Sequence, residues 1–525
     1  MPYNNNLMPL ECFYRWEKET PDKVFLRQAK KLQWREYTWR EVADRVRRLA
    51  SYIRAQELPP GSSICIFSAN CADWFVVDLA IMLTGHVSVP LYPGQDLDSA
   101  AYIIEHSESR MLFLGAFDQS AQFRDVIKTT IPSVGILGCT TDCDEELEAV
   151  IERSEPYTES PIPDPNAVFT MLYTSGTTGR PKGVMHMNKT PATVVTGMKQ
   201  SFKRGLKEER FFSFLPLAHA GERIVIEMMS LYVNPSVSFS EGLDTFAEEL
   251  RSVQPTLFFA VPRLWVKFKA AVDAMIPPEV QAGFGEEEKA KVRWQLGLSE
   301  ADFVITGSAP APKDVQQWYI DLGIYVRDGY GMTENFIDGC IWSTDDAPTP
   351  GCVGKPMGHG RVKLTEAGEI CFKSEGLMLG YYKNPEKTAE VIVDGWYHTG
   401  DSGVFDENGN LWVTGRISEV FKTSKGKFVR PSDLEDHFNH VTLLEQLCVF
   451  GHGEDQPRLL ANLSQLSGSM ARQDVVEALE QARLSINAGL ANHEKVSRII
   501  VTEKEWTIDN GLLTPTMKLK RKALL

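Results

Sequence analysis

The segment Tyr173-Thr-Ser-Gly-Thr-Thr-Gly-Arg-Pro-Lys-Gly-Val184 carries the densest set of groups able to hold an anion. Its small residues, Gly176 and Gly179 among them, let backbone N–H groups turn inward around a phosphate. Thr174, Ser175, Thr177 and Thr178 add hydroxyl donors, and Lys182 adds positive charge. The spacing is not that of the nucleotide loop GxxxxGK[ST], because Pro181 precedes Lys182 and Gly183 follows it. On glycine and serine content alone the segment reads equally well as a surface loop. Thr333-Glu334, Asp401, His219 and the basic tail from Lys518 to Lys522 are further candidates, each with a plainer reading. Glu334 beside Thr333 suits a helix cap, and Asp401 after Gly400 suits a turn. A lone imidazole such as His219 suits a satisfied structural site, and a run of lysines suits a solvated face.

The elements that must position these groups follow from hydrophobic spacing. Val42, Val46, Leu49 and Ile53 share one helix face, and the bounded apolar run Ile64–Phe67 predicts a buried strand. A helix over about 72–84, a strand through Val87 and Val89, a helix near Ala100–His106 and a strand at Arg110–Leu114 continue the alternation. Thr256–Val261, Phe303–Thr306 and Tyr325–Asp328 read as further strands. Such alternation implies parallel sheets covered by helices. The run Val168–Leu172 predicts a strand entering the Thr174–Lys182 loop, with a helix-like stretch after it. Beyond Gly351 the pattern changes to short strands with tight turns, including GEICF and the hairpin candidate Asp406-Glu-Asn-Gly409. From about residue 417 a compact α+β pattern runs strand, turn, strand, helix, two strands, helix, strand. The expected fold is therefore α/β: a large N-terminal body of packed mixed sheets with helices and a β-rich subdomain (1–416), and a small mobile α+β domain (417–525).

Composition narrows the function classes. The 525 residues are 43% hydrophobic and 24% charged, which excludes disordered and fibrous chains. A net charge of −15 repels phosphate backbones, so no nucleic-acid partner is expected and any phosphate must meet a local pocket. The nine cysteines lie far apart, apart from Cys139 and Cys143, which read as ordinary residues; a reducing, cytoplasmic setting is expected. The start MPYNNNLMPLECF has no basic region or apolar core, and the most apolar stretch, Trp74–Tyr92, is broken by Asp78, Gly85, His86 and Pro90. Neither a signal peptide nor a membrane-spanning segment is expected.

The string YTSGTTGRPKGV resembles the phosphate-binding signature of the adenylate-forming superfamily, which includes acyl-CoA synthetases, luciferases and peptide-synthetase adenylation domains. Further segments of similar kind follow in order: Arg327-Asp-Gly-Tyr-Gly-Met-Thr-Glu334, Tyr397-His-Thr-Gly-Asp401, Gly415-Arg416 with Lys422–Lys427, and Leu513-Thr-Pro-Thr-Met-Lys518-Leu-Lys-Arg521. The last looks like the form found in long-chain acyl-CoA synthetases, and the resemblance spans essentially the whole chain. It implies ATP-dependent activation of a carboxylic acid as an acyl-adenylate, with pyrophosphate released, AMP formed and Mg²⁺ as cofactor. Thr174 to Lys182 would hold the β- and γ-phosphates, Thr333 would touch the α-phosphate, and Glu334 would anchor Mg²⁺ as a hard oxygen ligand. Asp328, Gly329 and Tyr330, with Gly331, Met332 and Ser308-Ala309-Pro310, would surround the nucleotide. Asp401, with Arg416 nearby, would clamp the ribose. Lys518, rather than its rival Lys520, would bridge carboxylate and α-phosphate.

Leu215-Pro-Leu-Ala-His-Ala-Gly-Glu-Arg223 resembles the long-chain synthetase segment in which the histidine, here His219, lines the carboxylate end. Ala220, Val261, Gly307 and Gly331 join it as the expected acyl-pocket residues, with Arg263 and Trp265 as further wall. Amino-acid-activating domains carry an Asp in the segment that His219 occupies here, so a free α-amino acid is not the expected carboxylate. One departure concerns the hinge: the family commonly places Asp or Lys two positions after the hinge arginine, and this chain has Ser418. Rotation there would bring Lys425, Gly426 and Lys427 to face the acyl-adenylate. The chain ends a few residues past Lys518, so no carrier or reductase domain is expected. Coenzyme A is the expected acceptor, an amine such as an amino acid the alternative, and a separate carrier protein is not indicated.

Overall fold

The computed structural model describes residues 7–174, 180–202, 208–464, 467–468, 470–508, 510–514 and 518–525. The chain forms two compact units, Met1–Arg361 with Lys373–Gly395, and Val362–Phe372 with Trp396–Leu525. Arg416, where the sequence expectation ends the N-terminal body, lies within the second unit.

Two sheets build the first unit. In the eight-stranded sheet, Ser63–Phe67, Val87–Leu91, Met111–Leu114 and Ser133–Gly135 pair in parallel, and Val87–Leu91 pairs in parallel with Val168–Thr174. Two antiparallel strands, Lys182–Met187 and Gly380–Tyr381, extend it beyond Val168–Thr174. The seven-stranded sheet is parallel through Val326–Asp328, Phe303–Thr306, Leu257–Ala260, Arg210–Ser213, Ser236–Phe239 and Val24–Lys30, with Gln33–Thr38 antiparallel at its margin. The predicted α/β alternation is thus present, and the strands at Ile64, Val87, Met111, Leu257, Phe303 and Val326 form where the apolar runs placed them.

One expectation is corrected. The loop after Val168–Thr174 does not run directly into a helix; it returns as the strand Lys182–Met187, and only then does the helix Lys189–Ser201 begin. The anion-binding candidate therefore joins two antiparallel strands, with Thr174 opposite Lys182.

The helix Ala72–Leu83 is apolar around its circumference except for Asp73 and Asp78, and every one of its residues is buried. A helix of that kind belongs in a core rather than on a surface. It shares one apolar cluster with the helix Trp39–Ala55, the segment Ala220–Val233 and residues of both sheets. The two charges are paired. Asp73 meets Arg45 at 2.8 Å, and Asp78 meets the wholly buried Arg223 at 2.7 Å. Deleting one partner would strand a buried charge, a loss of about 3–5 kcal/mol.

In the second unit, Glu369–Lys373 pairs antiparallel with Trp396–Phe405, which pairs with Leu411–Arg416. The turn between the last two strands is the predicted hairpin: Asp406 Oδ1 accepts from the N–H groups of Asn408 and Asn410, and Gly409 has φ +76°. The helix Pro431–Phe438 and the sheet Leu444–Phe450, Arg458–Leu463 and Ile499–Thr502 follow, with the helix Arg472–Ala488 between the last two strands. Among the described residues no helix is long and apolar enough to cross a membrane.

Candidate active site

Four neighbouring parallel strands of the seven-stranded sheet end at Ser213, Ala260, Thr306 and Asp328, and the last three are level in register. The loops beyond the carboxyl ends of parallel strands are where α/β sheets place ligands. Here they deliver, in order, Phe214–His219, Val261, Gly307–Pro310 and Gly329–Glu334. Thr306 carbonyl oxygen accepts from Gly329 N–H at 2.8 Å, and Tyr330 exchanges both backbone bonds with Cys340 at 2.9 Å. Gly331 fits against Ile337 so closely that a Cβ would lie 2.6 Å from the Ile337 Cα. Asp328 is buried, whereas Ala309 and Pro310 are exposed. Trp265 is not part of this edge: it is buried in the core against Phe258 and Tyr319.

Thr333 and Glu334 open a short 3₁₀ turn, Thr333–Asn335, that residues of the hairpin sheet hold in place. The fully buried His186, on the strand Lys182–Met187, lies with Nε2 2.8 Å from the Thr333 carbonyl oxygen. A carbonyl only accepts, so Nε2 carries the proton. Burial pushes the His186 pKa down to about 3, which keeps the ring neutral and leaves Nδ1 a buried acceptor without a partner. Tyr381, paired with Val184 in the next strand, donates its hydroxyl to Glu334 Oε1 at 2.7 Å. Met378 N–H donates to the Glu334 carbonyl at 2.8 Å. Lys182 Nζ lies 4.5 Å from the centroid of the same Tyr381 ring. Burial lowers the Lys182 pKa and the Glu334 carboxylate pulls it partly back, so a bound polyanion would favour the ammonium form further. One strand thus carries both the loop lysine and the support of the Thr333–Glu334 turn. Ser175, Gly176, Thr177, Thr178 and Gly179 lie outside the described residues.

His219 precedes the buried turn Ala220–Glu222, and its Nδ1 accepts from Gly221 N–H at 3.0 Å. That bond fixes the neutral tautomer, with the proton on Nε2. The loop is organised by Asn70, whose amide donates to Ser213 Oγ at 2.8 Å and to the Leu215 carbonyl at 2.6 Å and accepts from Leu217 N–H at 3.0 Å. Glu222, buried behind it, accepts from Ser213 Oγ and Phe214 N–H, and burial raises its pKa to about 8. Asn70, His186 and Tyr381 were not singled out by sequence, because each acts on a partner far away along the chain.

In the second unit Asp401 stands opposite Arg416 across an antiparallel pair, with Oδ1 2.9 Å from the arginine Nε. The turn before Asp401 is fixed on all sides. Gly400 has φ +73° and donates to Glu369 Oε1 at 3.0 Å, the other oxygen of Glu369 meets His398 Nδ1 at 2.9 Å, and Thr399 Oγ1 holds both Asp401 N–H and the Ile370 carbonyl. Lys518 is exposed, and Lys520 is partly buried. Backbone bonds between Thr514 and Lys518 at 2.8 Å and from Lys520 to Leu512 at 2.9 Å close the loop that carries Lys518. Arg521 clamps its base through a bidentate pair with Glu435 and a 3.1 Å contact with Glu419. Ser418 is exposed in the short turn Ile417–Glu419, and Lys425, Gly426 and Lys427 form an exposed turn with Gly426 at φ +72°.

Comparison with known proteins identifies the family and the fold. Residues 13–382 match the model of the AMP-binding enzyme family, and residues 419–523 match that of the AMP-binding enzyme C-terminal domain. The chain is 26% identical over 567 positions to Long-chain-fatty-acid–CoA ligase FadD15 of Mycobacterium bovis, covering 97% of this chain and 94% of that protein. Its fold is similar to that of the adenylation domain of a carboxylate reductase from Mycobacterium chelonae, with a TM-score of 0.81, 23% identity and coverage of 99% and 89%. It is also similar to the anthranilate CoA ligase AuaEII, solved with anthranoyl-AMP, with a TM-score of 0.80, 19% identity and coverage of 100% and 97%. A family match across most of the chain, on a fold shared with adenylating enzymes, makes this protein a member of the AMP-binding enzyme family.

Proposed function

We propose that the protein is an ATP-dependent acid ligase that converts a carboxylic acid into an acyl-adenylate and passes the acyl group to coenzyme A. The observation that carries this reading is the joint support of Lys182, Thr333 and Glu334 by one strand and its neighbour, at the edge where four strand ends converge. A carboxylate is a poor electrophile, and its oxygen must approach the α-phosphorus in line against like charge. Cations and N–H donors around the polyphosphate lower that barrier. Thr174 to Lys182 would bind the β- and γ-phosphates, and Thr333 the α-phosphate. Glu334, with one oxygen fixed by Tyr381, offers the hard oxygen donor that Mg²⁺ takes, and the bound ion would neutralise polyphosphate charge. Asp328, Gly329 and Tyr330 with Ser308–Pro310 would flank the adenine, and Asp401 with Arg416 the ribose. His219 Nε2–H would face the acid's carboxylate end. Long-chain fatty acids are the favoured class, supported by the likeness of LPLAHAGER to long-chain synthetases and by the relatives' names.

In this reading Arg416–Ser418 is the hinge between the adenylation body and the C-terminal domain. Lys518 would serve the first step, and Lys425–Lys427 the second, in which coenzyme A sulfur attacks the acyl carbon and AMP leaves. The test is acid-dependent pyrophosphate release with ATP and Mg²⁺ but no acceptor, with hydroxylamine to trap the adenylate as a hydroxamate. Pyrophosphate release tied to a fatty acid supports the first step; release that ignores every acid, or none at all, rejects it.

A further inference from the structure

Seven of the nine cysteines are buried, and only Cys139 and Cys143 reach solvent. Those two face each other, with Sγ atoms 3.6 Å apart. They sit in the connection between the strands Ser133–Gly135 and Glu145–Glu146, at the margin of the eight-stranded sheet opposite the phosphate hairpin. The connection is fastened throughout. Arg124 donates to the Asp142 carbonyl at 2.9 Å and to Ser133 Oγ at 2.6 Å, Thr141 Oγ1 donates to the Ser120 carbonyl at 3.0 Å, and Asp144 accepts from Ser133 N–H and Oγ. Both cysteines pack against the apolar cluster that includes Phe67, Phe117 and Phe123. The pair is therefore held together by its surroundings, and closing to the ~2.05 Å of a disulfide needs a relative movement of only about 1.5 Å.

We propose that Cys139 and Cys143 form a reversible thiol–disulfide site that takes hydroperoxides as oxidant. Cys139 is the attacking sulfur. In the thiol form its S–H donates to the Thr141 carbonyl at 3.3 Å; its pKa is drawn down to about 7, chiefly by hydrogen bonding with Cys143, while Cys143 is pushed up. The Cys139 thiolate attacks the terminal peroxide oxygen, the O–O bond breaks, and the departing hydroxide, or alkoxide from an organic hydroperoxide, takes a proton to leave as water or an alcohol. The Cys143 sulfur then attacks the resulting sulfenic acid, the S–O bond breaks, and the hydroxide leaves with the Cys143 proton as water. Two electrons pass from the sulfurs to the peroxide. A dithiol reductant reverses the step by exchange.

Thiol titration and peptide mass spectrometry on the native full chain test this. The reduced protein should show two reactive thiols; one equivalent of hydrogen peroxide should remove both, with the peptide spanning the pair lighter by two hydrogens, and dithiothreitol should restore them. Cys143→Ser should stop at a sulfenic acid that dimedone traps. Cys139→Ser should react with peroxide about tenfold or more slowly, having lost the thiolate populated near neutral pH. Serine matches cysteine in size, so both variants should keep the wild-type melting profile. Two thiols that survive peroxide, two separate oxidised adducts, or disulfides between chains rather than within one would overturn the proposal.

Discussion

Asp401 contributes in two ways at the scale of a single residue, since it neutralises Arg416 and, in the proposed complex, accepts from the ribose hydroxyls. Asp401→Ala should raise the ATP KM by the worth of a charge-assisted bond, about 1.5–3 kcal/mol or roughly ten- to a hundredfold. An unchanged ATP dependence would remove it from the ribose site. His186 separates support from chemistry. His186→Leu leaves the Thr333 carbonyl with the Phe336 N–H alone, at 3.0 Å, and should lower kcat about tenfold, while His186→Gln keeps a side-chain N–H donor and should recover most of it. Equal rates for the two variants would show the hydrogen bond to be irrelevant. Asp338, three residues beyond the turn, is raised to about 6 by burial, partly offset by a hydrogen bond from Ser374. An acid raised in the folded state keeps its proton while the unfolded chain has lost it, so its contribution falls as pH rises through that window. Asp338→Asn should therefore gain about 1 kcal/mol relative to wild type between about pH 5 and about pH 7.5, read from urea midpoints. A difference that stays constant across that range would contradict the assignment.

Elements explain which parts could be read in advance. Ile64–Phe67, Val87–Leu91 and Phe303–Thr306 were legible because buried parallel strands are short apolar runs bounded by turn residues. The strand Lys182–Met187 was not. Lys-Gly-Val-Met-His-Met has no clean alternation, and the strand exists because Val168–Thr174 and the distant Gly380–Tyr381 pair with its two sides. His186 and Tyr381 stayed hidden for the same reason: they reach Thr333 and Glu334 across 147 and 47 positions of chain. The motif residues themselves were legible because they are neighbours in sequence. The turn at Gly426 gives a prediction at this scale. Its N–H donates to the Thr423 carbonyl at 2.9 Å with φ +72°, and no atom lies within 4 Å of an added Cβ. Gly426→Val strains the backbone by about 1–2 kcal/mol without a clash, and a wedge on an exposed turn should slow acyl transfer more than adenylation. Equal damage to both steps would undo a second-step role.

At the scale of the molecule, the two units carry different shares of the proposed reaction. The first holds Lys182, Thr333, Glu334 and His219; the second holds Asp401, Arg416, Lys518 and Lys425–Lys427. Lys518→Ala should cut acid-dependent pyrophosphate release about a hundredfold or more while ATP still binds, because it removes a cation from the developing charge. Near-normal release would reassign the role, with Lys520 the next candidate. The central claim is the whole sequence of acid activation and transfer to a thiol. Mass spectrometry of products from purified protein, ATP, Mg²⁺ and a panel of carboxylic acids tests it most directly, with coenzyme A, with mixed amino acids, or with neither. Acyl-CoA formed from a fatty acid, with AMP in equal amount, is the predicted result; acyl amides formed without coenzyme A, and no acyl-CoA with any acid, would contradict it.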